Sequence, residues 1–383
     1  MVGGALRFAT LDLQSFDHDE SVTVGRVLAP GLDDTLTILP ESECTPPLFY
    51  VLAWTWTRVF GTGEVGVRSF SALVGTLAIA VGFFAVRRLL GARAGVIAAA
   101  LFAVNPLLIW NAQDARSYSL GILLVAAALW AFAAARERPT ARRVAAFAVL
   151  GALAGATHYF TWFVIAPMAV SLLLRAPRSR PTWAALAALV IFAAALLPLA
   201  YVQAATKQGG EADFGQGDIV RRLAVTVAQF TVGENPTIPG AQTVDTTFRA
   251  AGVVVAALVL AGLLLALHAR AQRPAARLAV ALAACGVLIP ALLAVAGFDF
   301  YNGRNAMFAL VPLLAAVAVG FACPPDRLRR RAHAALAALV AGAVGRGARR
   351  HAATDATAFG LACRSRHDRG AAPGRGRAAP RRR

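Results

Sequence analysis

The chain has 383 residues, of which 58% are hydrophobic and 15% are charged, and its mean hydropathy is +0.61. Soluble domains carry about 25% charged residues, so this composition excludes an ordinary soluble protein and indicates one that lies in lipid. The net charge of +18 is concentrated beyond Asp326, where fifteen arginines are opposed by Asp355 and Asp368. A basic tail beside a membrane faces anionic lipid, and nucleic-acid binding is therefore excluded as the main function.

Apolar runs predict an all-α fold, a polytopic membrane helical bundle of about ten spanning helices. A helix of about 20 apolar residues crosses a hydrocarbon core of roughly 30 Å. The longer run 144–174 is basic at both ends, and basic loops stay on the cytoplasmic side, so it predicts a hairpin of two short helices turning at Thr157–Tyr159. The single spans are predicted at 67–86, 94–110, 117–134, 183–203, 247–267, 278–296 and 306–322.

The distribution of basic residues predicts the orientation in the membrane. The segments 87–93, 136–143, 268–277 and 326–331 are basic and fall on one side, which is predicted to be cytoplasmic. Arginine replaces lysine throughout except at Lys207, and with abundant Ala and Gly this indicates a GC-rich coding sequence and a bacterium. We therefore predict a multi-pass protein of the bacterial plasma (inner) membrane whose polar loops face the periplasm or exterior.

Three regions are predicted along the chain. Residues 1–66 form a first external loop with an interfacial helix, and the transmembrane helix preceding that loop is expected to be missing, with Gly3–Phe8 as its last turn. Residues 67–345 form the transmembrane helical domain, with an external loop at 204–245. Residues 346–383 form a basic low-complexity tail, for which a solvated segment and a frameshifted reading are equal alternatives.

Three further helices are predicted outside the spans. The interfacial helix begins at Pro46–Pro47, because proline suits a first helical turn. An amphipathic helix at 218–231 is expected to lie on the membrane surface within the external loop. A weak and short final helix is predicted at 333–345.

Polar residues that could take part in catalysis or phosphate binding lie on the predicted external side. Carboxylates act as general bases on hydroxyl acceptors, and guanidinium groups bind phosphate through paired hydrogen bonds. A reaction that moves a sugar from a lipid phosphate needs both kinds of group at the membrane surface. For each residue an ordinary solvated loop position is the competing interpretation. The residues are Asp19, Glu20, Asp114, Arg116, His158, Tyr159, Asp299 and Arg304.

Five short segments around these residues resemble the GT-C glycosyltransferases, in the protein-mannosyltransferase-like branch. Segment 15–23 resembles the acidic motif of their first external loop, and segment 45–52 resembles their Pro-Pro-aromatic segment, which 67–73 continues. Segment 113–120 is similar to their short second external loop. Segment 302–312 is similar to a late Arg-aromatic-Pro entry to a helix.

The resemblance implies a membrane glycosyltransferase that transfers a hexose or pentose from a polyprenyl phosphate with inversion. It implies a polyprenyl-phosphate-sugar donor, membrane lipid, and a glycan, lipid or protein acceptor as partners, with no nucleic acid. The resemblance implies that Asp19 is the catalytic base or positions the acceptor, with Glu20 beside it as the second catalytic residue. No metal ligand is assigned, and a divalent ion at His18, Asp19 and Glu20 stays an open alternative because carboxylates and imidazole suit such ions.

The substrate-binding residues are expected to come from three places in the chain. Arginines of the later loops would meet the donor phosphate, as the resemblance implies for Arg304 and Arg116. At the hairpin turn, His158 either caps a helix or contacts lipid headgroups, or it lines the donor cavity together with Tyr159. The expected substrate-binding set is Asp114, Arg116, Tyr118, His158, Tyr159 and Arg304.

Two other classes of membrane protein remain as alternatives. A secondary transporter places ionisable residues and broken helices near the bilayer midplane, often in two inverted repeats. Asn105–Pro106 interrupts one helix, as in such proteins, but the predicted spans hold almost no interior charge and no duplicated half. The second alternative is a ligase or polymerase of lipid-linked saccharides from another family.

Overall fold

The computed structural model describes residues 1–13, 15–28, 30–207, 218–233, 246–268, 272–324 and 326–341. Over these residues the chain is helical without strands, which confirms the all-α class. The predicted tail at 346–383 and most of the loop at 204–245 lie outside the described residues, so the division into three regions stays a prediction.

The helices are numbered in chain order. They are α1 (Val2–Phe8), α2 (His18–Val22), α3 (Leu32–Ser42), α4 (Leu48–Phe60), α5 (Glu64–Leu90), α6 (Ala92–Val104), α7 (Pro106–Ala112), α8 (Tyr118–Glu137), α9 (Ala141–Gly155), α10 (Trp162–Arg175), α11 (Arg180–Lys207), α12 (Ile219–Val232), α13 (Thr246–His268), α14 (Arg273–Val295), α15 (Leu310–Ala322) and α16 (329–341).

The predicted number of about ten spans was wrong when judged by helix length. In the described part of the chain five helices are long and apolar enough to cross a membrane, or six if α6 and α7 count as one bent span. The hairpin turn was correctly placed, but α9 and α10 have only 15 and 14 residues. Each is therefore about 21–23 Å long, short of a hydrocarbon core of roughly 30 Å. A count of apolar residues does not reveal where a run breaks into shorter helices.

The centre of the bundle is α15, which α6, α13 and α14 surround. Its sequence from Leu310 to Phe321 is apolar on every side, as expected of a helix enclosed by other helices. Small residues let the neighbouring backbones approach closely, which is the usual packing between membrane helices. At Gly320 an added Cβ would lie 1.9 Å from the carbonyl oxygen of Gly262 on α13.

A break between α6 and α7 turns the chain by 57°. Pro106 lacks the N–H that would continue α6, and Asn105 starts α7 because its Oδ1 accepts a hydrogen bond from the Leu108 amide at 3.1 Å. Arg7 of α1 donates to the carbonyls of Phe102 and Ala103 at 2.9 and 3.1 Å. These carbonyls at the end of α6 have no partner within the helix, so Arg7 stabilises the break.

The helices predicted outside the spans are present. Helix α4 begins directly after Pro46–Pro47, and α12 matches the predicted amphipathic segment, with Asp218 accepting a hydrogen bond from the Val220 amide at 3.1 Å. The weak final helix was predicted slightly late, since α16 covers 329–341.

The close packing at Gly320 allows the contact between α15 and α13 to be tested. We expect Gly320→Ala to lower the free energy of unfolding by about 1–3 kcal/mol, because the new methyl group meets the backbone of α13, which cannot move aside alone. Thermal unfolding of the purified protein in detergent measures this. Gly25→Ala is the matched control, since no atom lies within 4 Å of its added Cβ. Equal melting temperatures for the two variants would contradict the packing described.

Candidate active site

The first loop, which was predicted to be external, presents its acidic residues through the short helix α2. Asp17 and Glu20 form a capping box, in which the Glu20 amide donates to Asp17 at 2.7 Å and the Asp17 amide donates to Glu20 at 3.2 Å. This fixes the start of α2. Glu20 then points into the protein with only 3% of its surface exposed, whereas the Asp19 side chain is 41% exposed.

Glu20 forms a buried ion pair with Arg68 at the start of α5. The Arg68 Nε donates to Glu20 Oε1 at 2.8 Å, and its Nη2 donates to Glu20 Oε2. Glu20 Oε1 also accepts from the Ala115 amide at 2.9 Å. One carboxylate thus joins the first loop, α5 and the loop 113–117. Removing one partner of such a buried pair usually costs about 3–5 kcal/mol. The sequence analysis did not identify Arg68 as the partner of Glu20.

A second buried ion pair occupies Arg116. Its Nη1 lies 2.8 Å from Glu43 Oε2 and 3.2 Å from Thr23 Oγ1, and Thr23 donates to Glu43 at 2.6 Å. Glu43 is 1% exposed. Arg116 was expected to meet the donor phosphate; this role stays a prediction, and in this structure its guanidinium holds a carboxylate.

Asp19 and Arg304 face each other but do not form a hydrogen-bonded ion pair like the two described above. Their charged atoms are 3.7 Å apart, beyond hydrogen-bond distance, and the Arg304 side chain is 28% exposed. Within the described part of the chain, neither charged group makes a hydrogen bond to the protein. The Arg304 Cζ lies 5.9 Å from the centre of the Tyr118 ring, so an aromatic face supports the guanidinium.

His158 extends this aromatic wall. Its ring lies 5.5 Å from that of Tyr118 and 4.8 Å from that of Phe308. Its Nδ1 accepts a hydrogen bond from the Phe160 amide at 3.2 Å, which assigns the ring proton to Nε2. Burial lowers the pKa of His158 to about 3, with the charge of Arg116 acting in the same direction. His158 is therefore a neutral hydrogen-bond donor at physiological pH.

The structure brings most of the predicted site residues together, but it gives Tyr159 a separate set of partners. The Tyr159 hydroxyl donates to Gln203 Oε1 at 2.7 Å, and Gln203 Nε2 donates to the Thr45 carbonyl at 3.1 Å. These bonds join the hairpin turn to the end of α11. We call one cluster the external site, after the side of the membrane predicted for it. Its members are Asp19, Asp114, Tyr118, His158 and Arg304.

A group of three carboxylates lies at the edge of the external site. Oxygens of Asp17, Glu20 and Asp114 all lie within 4.8 Å of one another. Burial, followed by the charge of Glu20, raises the pKa of Asp114 to about 7. The Asp114 Oδ1 is buried and has no hydrogen-bond partner in the described structure.

These oxygens have the chemistry that a hard divalent ion prefers. Of the ligands considered from sequence, Glu20 belongs to this group, whereas Asp17 and Asp114 stand where His18 and Asp19 were expected. Both oxygens of Glu20 already accept hydrogen bonds, so a proton on Asp114 relieves the same repulsion that a cation would.

Comparisons with known proteins bear on this fold. Residues 44–201 match the family described as dolichyl-phosphate-mannose-protein mannosyltransferase. This stretch is less than half of the chain and contains α4 to α10, the loop 113–117 and His158. No curated protein sequence matches the chain.

Solved structures match a larger part of the chain at low identity. ArnT from Cupriavidus metallidurans bound to undecaprenyl phosphate is 17% identical with a TM-score of 0.53, and the match covers 86% of this chain and 60% of ArnT. Oligosaccharyltransferase AglB from Archaeoglobus fulgidus, in complex with an inhibitory peptide and a dolichol-phosphate, is 14% identical with a TM-score of 0.56. That match covers 92% of this chain and 54% of AglB.

The chain shares the fold of ArnT and AglB, two membrane proteins, and over residues 44–201 it matches the mannosyltransferase family named above. Both solved neighbours are GT-C glycosyltransferases, and the predicted resemblance to that superfamily is confirmed. The chain spans less than two thirds of the length of either neighbour.

The shifted titration of Asp114 gives a testable pH dependence. Its pKa is raised from 3.8 to about 7 in the folded state, so the folded protein keeps a proton that the unfolded chain has already lost. The carboxyl therefore costs stability increasingly as pH rises from about 4 to about 7, and in full above that. Asp114→Asn should raise the free energy of unfolding by about 1–3 kcal/mol at pH 8 and by less at pH 5.

Thermal unfolding of the purified protein at the two pH values measures this difference. Asp12→Asn is the control, because Asp12 is an exposed acid of the first loop. A gain in stability of equal size at pH 5 and pH 8 would show that the Asp114 carboxyl does not titrate in this range.

Proposed function

We propose that this protein transfers a sugar from a polyprenyl phosphate to an acceptor at the external face of the membrane. The observation that carries the proposal is the pairing of Asp19 with Arg304. They are a base and a cation that lie side by side and partly exposed, while the neighbouring Arg68 and Arg116 are bound to buried carboxylates.

Asp19 is the group in position to act as general base. A hydroxyl or amide of the acceptor would donate its proton to the Asp19 carboxylate while the acceptor atom attacks the anomeric carbon of the sugar. The bond between that carbon and the phosphate oxygen breaks in the same step. A single displacement of this kind inverts the configuration of the sugar.

Arg304 is the group in position to hold the leaving phosphate. Negative charge grows on the phosphate oxygen as the sugar leaves, and a planar guanidinium can bind two phosphate oxygens at once. Its available donors and the Tyr118 ring beneath it favour this role. The neutral Nε2–H of His158, beside the same ring, would donate to the donor sugar or phosphate without adding charge.

The structural neighbours support the choice of donor. ArnT is seen with undecaprenyl phosphate and AglB with dolichol-phosphate, both polyprenyl phosphates, and AglB also binds a peptide. We infer a polyprenyl-phosphate-linked hexose or pentose as donor, a glycan, lipid or protein as acceptor, and a location in a bacterial inner membrane with the external site on the periplasmic side. A panel of radiolabelled polyprenyl-phosphate sugars incubated with membranes that contain the protein tests donor use directly.

The base role of Asp19 predicts a specific loss of rate. Asp19→Asn keeps the size of the side chain and removes the base, so sugar transfer should fall by about 10²–10⁴-fold while the amount of folded protein stays normal. Asp12→Asn, in the same loop, should transfer sugar at the wild-type rate. Turnover of Asp19→Asn close to wild type would remove the assignment.

Glu20 is expected to respond differently from Asp19. Glu20→Gln weakens the buried pair with Arg68, so it should lower the yield and melting temperature together with activity. Size-exclusion chromatography and thermal unfolding beside the transfer assay separate this effect from a loss of chemistry.

The phosphate role of Arg304 predicts a graded response to substitution. Arg304→Ala should lower transfer by about 10²–10³-fold, since it removes the charge that stabilises the leaving group. Arg304→Lys should retain part of the activity, because an ammonium supplies the charge without the planar fork. Arg26→Ala, an exposed arginine of the first loop, is the control. If both Arg304 variants transfer sugar at the wild-type rate, Arg304 does not bind the phosphate.

A further inference from the structure

Helix α12 contacts the segment that carries Arg304 along a continuous stripe. The segment 296–304 follows α14, and we call it the Arg304 segment. Residues 222, 226 and 229 of α12 lie on one face of that helix at spacings of four and three. They meet residues 299, 301 and 303, every second residue of the Arg304 segment, which is neither helix nor strand from 298 to 304.

The first contact is a forked ion pair. Arg222 donates from Nη1 and Nη2 to the two carboxylate oxygens of Asp299 at 2.8 and 2.6 Å. The same Nη2 donates to the carbonyl of Tyr301, and the guanidinium lies 5.6 Å from the centre of the Tyr301 ring. A forked pair fixes direction as well as distance, so it holds the segment in one orientation.

The next contacts are buried. The Tyr301 hydroxyl is 2.9 Å from Thr226 Oγ1, and each of these two residues is 1% exposed. Gly303 lies directly on Gln229, since an added Cβ would be 1.9 Å from Gln229 Oε1. A side chain at 303 would meet the end of the Gln229 side chain, and the next residue is Arg304.

The opposite end of α12 rests on the break between α6 and α7. Asn105 Nδ2 donates to the Phe230 carbonyl at 3.0 Å. Gly233 ends the helix in a left-handed conformation, with φ of 66°, and a Cβ there would be 2.7 Å from Pro106 Cβ. The break leads through α7 to the loop that carries Asp114. Helix α12 therefore bridges the two parts of the chain that supply the later residues of the external site.

We propose that α12 is a clamp that positions Arg304 for the donor phosphate, with Arg222 as its main positioning residue. The inference rests on the proposed function of Arg304. Arg222 contacts no reacting group, so it acts through the Arg304 segment. Without Arg222, the Asp299 carboxylate and the Tyr301 carbonyl lose their hydrogen bonds to α12, and Arg304 samples several positions. A displacement of about 1 Å at a binding group costs up to about 10²-fold.

The first test measures binding of undecaprenyl phosphate alone to the full-length protein in detergent. Arg222→Ala should weaken the affinity by about 10–100-fold, and Arg222→Lys by less. Arg221→Ala is the matched control, because Arg221 is exposed on the same helix and should bind as wild type. Combined with Arg304→Ala, the Arg222→Ala substitution should cause no further loss, because it acts through a group already removed. Losses that multiply would overturn the inference.

Hydrogen exchange of the backbone amides at 299–304 provides a second readout that does not depend on the ligand. Arg222→Ala should speed exchange there, and Arg221→Ala should not. Unchanged exchange in Arg222→Ala overturns the clamp whatever the affinity. If exchange speeds up but Arg304→Ala binds as tightly as wild type, the phosphate role of Arg304 fails and the positioning inference fails with it.

A rescue experiment excludes misfolding as the cause of a loss. Gly303→Ala should weaken binding of undecaprenyl phosphate by about tenfold, because the new methyl group pushes the segment off Gln229. Adding Gln229→Ala removes the obstructing atoms and should restore most of the affinity. No recovery in the double variant would mean that contact with α12 does not set the position of Arg304.

Discussion

The buried ion pair between Glu20 and Arg68 determines how the external site is built. Both groups are almost fully enclosed, so their attraction is poorly screened and neither can be left without the other. Because the Ala115 amide binds the same carboxylate, the pair also fixes the loop that carries Asp114. Successive residues of a helix point about 100° apart. With Glu20 committed to the interior, Asp19 is directed outward, where an acceptor can reach it.

The other arginines at this end of the bundle differ in the same way, by whether a carboxylate of the protein binds them. Arg116 is bound to Glu43, and Arg222 to Asp299, so these arginines serve mainly to join segments of the chain. Arg304 lies at a longer distance from its acid and keeps donors available. A site for a phosphate needs at least one cation whose hydrogen bonds are not already used within the protein, and the described structure provides it at Arg304.

Much of this arrangement could be predicted from sequence, because helices and membrane orientation depend on local patterns. The hairpin turn, the start of α4 and the amphipathic α12 all follow from the order of apolar, basic and proline residues. The gathering of Asp19, Asp114 and Arg304 on one side follows from topology. The segments that hold these three residues are also among those that resemble the GT-C glycosyltransferases.

The ion pairs were not predictable in this way. Glu20 lies 48 residues from Arg68 and 95 from Ala115, and Glu43 lies 73 from Arg116, so no local pattern connects them. One signal was available for Arg68. Like Arg304, it is an arginine at the external end of an apolar helix, where the positive-inside rule does not account for it. Such an arginine needs an internal partner or a ligand. Arg68 has the internal partner, and a ligand is what we propose for Arg304.

The shortness of α9 and α10 has a consequence for the surrounding lipid. A bilayer bordering helices about 8 Å shorter than its own core must thin, or the helix ends must sink into it, at a cost of a fraction of a kcal/mol per Å. The turn at the end of this hairpin holds His158, so either response moves the lipid headgroups and the external site to the same depth. For the donor proposed above, hydrophobic mismatch would then bring the lipid-linked phosphate to the depth of the external site without lifting its polyprenyl chain out of the membrane.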